Sequence, residues 1–182
     1  MSEEYDGDKF RELVLYLAEC SVDDAKFGKT KLAKLLFFSD FYAYGQLGKP
    51  ITGAVYGKYP HGPVPRALSR ELRVIEEKQD GVVAVSRYHD RDQQRVVALR
   101  EADLSKFTAA EISLVDEVIR ALTDHDAASV SRLSHLEAGW QCLDDYADIP
   151  YDMVFVSTEP LSQETVTRGQ QIAERHGLLI RA

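Results

Sequence analysis

Leu32, Leu35, Leu36, Phe37, Phe38, Phe41, Tyr42 and Tyr44 leave residues 30–45 with scarcely any polar face. A helix that is apolar nearly all round belongs inside a domain, so this pattern predicts a central helix on which the rest of the chain packs. Ahead of it, Phe10, Leu13, Val14 and Leu17 recur at helical spacing and predict an amphipathic helix from about Asp8 to Cys20. Asp23, Asp24 and Gly28 break that helix; Thr30 is the expected N-cap of the next, which should run to Gly45 or Gly48.

Tyr59-Pro60-His61-Gly62-Pro63-Val64-Pro65 holds three prolines in seven residues. Prolines delete backbone donors and fix φ, so the passage is expected to be irregular and stiff. Pro65 suits the first position of a following helix, in which Leu68, Leu72 and Ile75 keep register until Gly81. Two β-branched runs, Val82 to Tyr88 and Arg95 to Leu99, flank the polar residues 89–94 and predict a hairpin with a longer loop. Thr108 and Glu111 form a capping box opening a helix to Leu122, with Ile112, Val115, Ile119 and Leu122 as its inward stripe. Asp126 or Ser129 starts a short helix leading into Leu133-Ser134-His135 and Trp140. Ser162 caps a last helix from Thr165 to His176, closed by Gly177. The run Met153 to Val156 is too short to classify. The expected fold is α+β, mainly helical: about six helices around the central apolar helix (30–45), with one β-hairpin (82–99).

Composition narrows the class. A chain of 182 residues, 45% hydrophobic and 29% charged, is one soluble globule with a real core. No apolar run approaches the roughly 20 residues of a membrane span. The first residues, MSEEYDGDKF, are acidic where a signal peptide is basic, which predicts a cytoplasmic protein. Cys20 and Cys142 lack any ligand spacing and are read as reduced, buried, small apolar residues.

Charge is unevenly spread. Residues 26–73 carry +7 within a chain of net charge −8, leaving −15 for the remainder. Such a basic island is suited to steering an acidic partner or a phosphate backbone; its blander role is to solubilise an apolar helix. Lys34, Tyr56, Lys58, Tyr59, His61, Arg66 and Arg70, the cations and aromatics in and beside the proline passage, are the expected partner-binding residues. Gly62, Pro63 and Val64 are expected to be architectural, Gly62 supplying φ > 0 or close backbone approach.

The chemical motifs are weak. Gly28-Lys29-Thr30 matches the end of a phosphate-binding loop, but residue 23 is Asp where that motif needs glycine. The five histidines stand singly, without metal-ligand spacing. Ser134 and Ser157 lack a nucleophile elbow. Neither enzyme activity, cofactor nor metal is expected. Leu133-Ser134-His135 with Trp140 has two readings: a partner anchor, or a core-filling Trp140 with His135 bonded to a loop carbonyl of the proline passage. The structural reading is preferred.

Four of these stretches share an order. Lys31-Leu32-Ala33-Lys34-Leu35-Leu36-Phe37-Phe38, then Gly48-Lys49-Pro50-Ile51, His61-Gly62-Pro63-Val64, and Leu133-Ser134-His135 with Trp140 resemble the Panacea domain, the SocA-like antitoxin family, over roughly residues 9–157. The resemblance implies a Panacea-like domain over residues 1–160, with 161–182 a C-terminal helical extension packed on it. It implies an antitoxin of a bacterial or prophage toxin–antitoxin system that neutralises a cognate toxin by direct protein–protein contact, without a cofactor. Two other readings stay open: a winged-helix-like nucleic-acid-binding regulator with the hairpin as its wing, and an adaptor delivering a partner to a protease or chaperone.

Overall fold

A computed structural model describes residues 4–88, 91–158 and 162–177. The chain is mainly helical α+β, with seven α-helices and two small antiparallel sheets among the described residues. α1 (Gly7–Cys20) starts at Asp6, whose carboxylate accepts the Lys9 N–H at 2.9 Å, and buries Phe10, Leu13, Val14 and Leu17. α2 (Lys29–Leu47) buries residues all round its first three turns, from Lys31 to Phe41. Its N-cap is Gly28, where the chain enters extended; Thr30, expected to cap it, lies exposed within the first turn. Gly48 ends it in the left-handed region at φ +77°, a conformation that glycine adopts without a Cβ penalty.

The proline passage is more regular than its composition implies. β1 (Tyr56–Gly57) pairs antiparallel with β2 (Val64–Pro65) and with β5 (Asp148–Ile149) in the order β2-β1-β5. Pro65 therefore belongs to a strand and not to a helix start. It sits at the sheet edge, where a missing donor is tolerated. α3 (Leu68–Glu77) begins three residues later and buries Leu68, Leu72 and Ile75 as expected.

The hairpin falls where it is predicted, but its second strand starts earlier. β3 (Gly81–Tyr88) and β4 (Arg91–Ala98) pair from Gly81↔Ala98 to Tyr88↔Arg91, so Asp92, Gln93 and Gln94 belong to a strand. His89 and Asp90 lie outside the described residues. β4 packs on α1 and α2 and buries Val96. The Arg95 guanidinium donates to the carbonyls of Ser21, Val22 and Asp24 at 2.5–2.7 Å, which ties the α1–α2 connection to the hairpin.

α4 (Ala109–Leu122) carries the predicted capping box at Thr108 and Glu111. Its buried face is Glu111, Leu114, Val115, Val118 and Leu122; Ile112 and Ile119 are only half-buried. The face is rotated because Glu111 is itself inside, accepting Lys9 Nζ at 2.7 Å. α5 (Ala127–Ser134), capped by Asp126, and α6 (Ala138–Gln141) follow. Residues Tyr151–Phe155 form a 3-10 turn, and Ser162 caps α7 (Gln163–Arg175). α2 packs against α1, α4, α5, β2, β4 and the 3-10 turn. Cys20 and Cys142 are exposed, contrary to expectation, because each stands where a helix ends at the surface.

Candidate functional site

The Tyr59–Val64 passage is held from beneath by side chains of three helices. Tyr59-Pro60-His61-Gly62 closes as a turn through the Gly62 N–H to the Tyr59 carbonyl at 2.8 Å, with Gly62 at φ +93°. A Cβ on Gly62 would stand 2.4 Å from Ser134 Oγ and 2.7 Å from Lys34 Cε, so both conformation and space require glycine. Lys34 Nζ, buried, donates to the Pro63 carbonyl at 2.9 Å, and the Trp140 indole N–H donates to the Tyr59 carbonyl at 3.2 Å. It is therefore Trp140, not His135, that bonds the passage. His135 instead stacks on Trp140, ring centroids 3.8 Å apart, and its Nε2 is buried without a hydrogen-bond partner. Burial, then the charges of Lys34, His61 and Lys58, lower the His135 pKa from its ordinary value.

The foot of β1 is anchored separately. Asp40, fully buried on α2, accepts from Thr52 N–H (2.7 Å), Thr52 Oγ1 (2.5 Å) and Tyr56 OH (2.7 Å). Burial raises the Asp40 pKa, while the bonds from Thr52 and Tyr56 pull it down without overcoming that effect. The Tyr56 ring packs edge-on against Phe37 and Phe41.

Much of the basic island is neutralised within the fold. Lys31 reaches Asp24 at 2.6 Å and the carbonyls of Thr123 and His125; Lys58 bonds the Leu143 carbonyl at 2.7 Å and lies 3.4 Å from Asp145. Arg66 pairs with Asp148 and bonds the Tyr146 carbonyl at 2.6 Å. Arg70 and Arg11 share Glu71, at 2.7 and 2.5 Å. Lys26, Lys29 and Lys34 pair with no carboxylate among the described residues: their Nζ atoms bond the Asp124 carbonyl at 2.8 Å, Ser69 Oγ at 3.5 Å and the Pro63 carbonyl.

A cleft of about 850 Å³ opens between the first turns of α2, the proline passage, β4 and the start of α5. It brings together Lys34, Tyr59 and His61 of the expected partner-binding residues, with Val64 of the architectural ones, and leaves out Tyr56, Lys58, Arg66 and Arg70. Tyr56 has no exposed surface and Lys58 little, so neither has a face to offer a partner; Lys34 forms the buried floor. Tyr59 is half-buried, while His61, Arg66 and Arg70 are exposed. Arg70 lies away from the cleft, over the Tyr5 ring. The opposite wall, Tyr88 and Asp92 to Gln94 with Asp126 to Ala128, was missed: residues 92–94 read as loop, and nothing local marks α5 as their neighbour. No group of three or more His, Cys, Asp or Glu among the described residues is arranged to hold a metal, and no helix among them is long and apolar enough to cross a membrane.

A family model described as antitoxin SocA-like, Panacea domain, matches residues 32–141. Those residues run from the first turn of α2 through the passage to Trp140 and Gln141. No curated protein and no solved structure matches the chain significantly.

Proposed function

Since the chain belongs to the antitoxin SocA-like, Panacea domain family, we propose that it is the antitoxin of a bacterial or prophage toxin–antitoxin system. It acts in the cytoplasm by binding a cognate toxin directly. The observation that carries this reading is that the matched residues include the whole braced passage and its supports, Lys34, Ser134, His135 and Trp140. A rigid loop flanked by exposed His61 and Arg66 loses little entropy when a partner closes on it, which suits tight binding without a cofactor.

We read the protein as a binder and not an enzyme. Ser134, next to His135 in the chain, is buried, and its hydroxyl donates to the Ser131 carbonyl at 2.8 Å, unlike a poised nucleophile. The nucleic-acid reading is weakened by the internal pairing of Lys31, Lys58, Arg66 and Arg70, because duplex affinity grows with the phosphates neutralised by free cations. An adaptor that hands the toxin to a protease would use the same contacts.

Co-expression tests the proposal. The product of the neighbouring reading frame should arrest growth alone, and this protein should restore growth and co-purify with it. Absence of both rescue and complex for adjacent frames, together with steeply salt-dependent duplex binding by the purified protein, would overturn the antitoxin reading.

A further inference from the structure

Lys31, Lys58, Arg66 and Arg70 of the basic island each meet a carboxylate, whereas the three lysines around one cleft meet none among the described residues. Lys26, Lys29 and Lys34 bond only neutral oxygens, while the walls beside them are apolar: Ala33, Val64 and Leu68. Lys34 is buried and Lys26 and Lys29 are half-buried, so a carboxylate arriving at the latter two finds cations without a counter-ion and replaces their neutral partners with a charge-assisted bond. The floor is already fixed, since Lys34 is clamped to the Pro63 carbonyl, so little ordering cost attends binding. At about 850 Å³ the cleft lies near the top of the roughly 300–1,000 Å³ range of ligand sites, with room for a short segment and not merely one side chain.

We infer that this cleft receives an acidic peptide segment of the partner, an Asp or Glu carboxylate meeting Lys29 and Lys26 while an adjoining apolar side chain lies against Val64 and Leu68. That the partner is a toxin rests on the antitoxin reading; the chemistry of the segment does not. A nucleic-acid strand fits less well. Asp92 and Asp126 are among the lining residues, the chain's net charge is −8, and a run of phosphates would need more free cations than the three lysines of the cleft.

Random decapeptides displayed on phage, panned against the full chain, read the proposal directly. Enriched sequences should place Asp or Glu beside Leu, Ile, Val or Phe. A synthetic copy of the winner should bind, and should lose at least about tenfold in affinity when its carboxylates are converted to amides or when Lys29→Glu is introduced, a tenfold loss being 1.4 kcal/mol. Lys29→Glu keeps the fold, because an acidic residue in a helix's first turn is favourable. Ala128→Trp should block the cleft sterically, and Lys49→Glu, the same charge change at an exposed position outside it, should leave affinity within about twofold. Panning that yields no consensus or a basic one overturns the inference, as does binding indifferent to Lys29→Glu and Ala128→Trp, or oligonucleotides that bind the cleft where peptides do not. If growth rescue persists in both variants while panning fails, the cleft assignment falls and the antitoxin reading stands. If rescue fails for wild type while acidic peptides bind, the reverse holds.

Discussion

Any side chain at Gly62 is costly on two counts that can be separated. Gly62→Ala forces an L-residue to a positive φ and drives its methyl into Ser134 and Lys34, and we expect a loss of about 2–4 kcal/mol in denaturant unfolding. Adding Ser134→Gly should recover part of that loss, the steric part, as a non-additive pair in a double-mutant cycle. Lys34 offers a second test. Burial pulls its pKa down to about 8, so between there and the unfolded value near 10.4 the unfolded chain binds more protons, and stability rises with pH. The stability of wild type relative to Lys34→Met should therefore increase by about 2.5 kcal/mol from pH 8 to 10.5; a flat difference would mean the ammonium is solvated after all. Gly62's role was legible in the sequence, because a glycine among three prolines has few other reasons to be there. The burial of Tyr56, Lys34 and Lys58 was not. Whether a lysine points inward depends on who receives its charge, and the carbonyl that receives Lys58 belongs to Leu143, 85 residues away.

Elements with strong local signals came through, and those defined by a distant partner did not. The capping box at Thr108 and Glu111 and the register of Leu68, Leu72 and Ile75 are each set within one or two turns. β1, β2 and β5 are two residues apiece and exist only because residues 56–57 meet both 64–65 and 148–149, so neither propensity nor alternation announces them. Residues 92–94 looked like loop because Asp-Gln-Gln is polar, whereas in the fold Gln93 Nε2 donates to the Phe27 carbonyl at 2.8 Å. The hairpin is thus fastened to the α1–α2 connection by Gln93 and Arg95. Arg95→Ala leaves three carbonyls, those of Ser21, Val22 and Asp24, without that donor. The expected outcome is about 1–3 kcal/mol of destabilisation, with amide exchange quickened first in residues 21–28 and along β4. Uniform acceleration across all helices would show instead that the connection unfolds only with the whole domain.

At the scale of the molecule, the carboxylates that neutralise the basic residues should govern acid stability. The Arg100 guanidinium beside Glu12 holds that carboxyl below its usual range. Burial pushes Glu71 and Glu111 upward, but Arg11, Arg70 and the Tyr5 hydrogen bond together outweigh it at the first, and Lys9 with the Thr108 hydrogen bonds at the second, so both are lowered. For each, the unfolded chain takes up protons first as pH falls, so the stability they give is complete above about pH 4.3 and drains away below it. Asp40 works in the opposite sense, since burial raises its pKa and protonation favours the folded state. Stability should decline from pH 5 to pH 3, and Arg100→Gln should flatten that decline; an unchanged profile would assign acid sensitivity elsewhere. The charge imbalance along the chain was plain from composition, but its meaning was not. A +7 segment inside a −8 protein reads as a field aimed outward until Asp24, Asp145 and Asp148 are seen to meet its cations.

The clamp between Lys34 and Pro63 also makes this amine a stopwatch for the passage above it. Acylating reagents attack only the uncharged amine, and near pH 8 Lys34 holds a far larger uncharged share than an ordinary lysine, yet it has no exposed surface for a reagent to touch. Labelling with acetic anhydride should therefore spare Lys34 while exposed lysines such as Lys49 saturate, and then proceed at whatever rate the Tyr59–Val64 passage lifts. Mass spectrometry of that single site would time the opening of the loop, free and with a partner seated on it, without any probe being introduced into the protein.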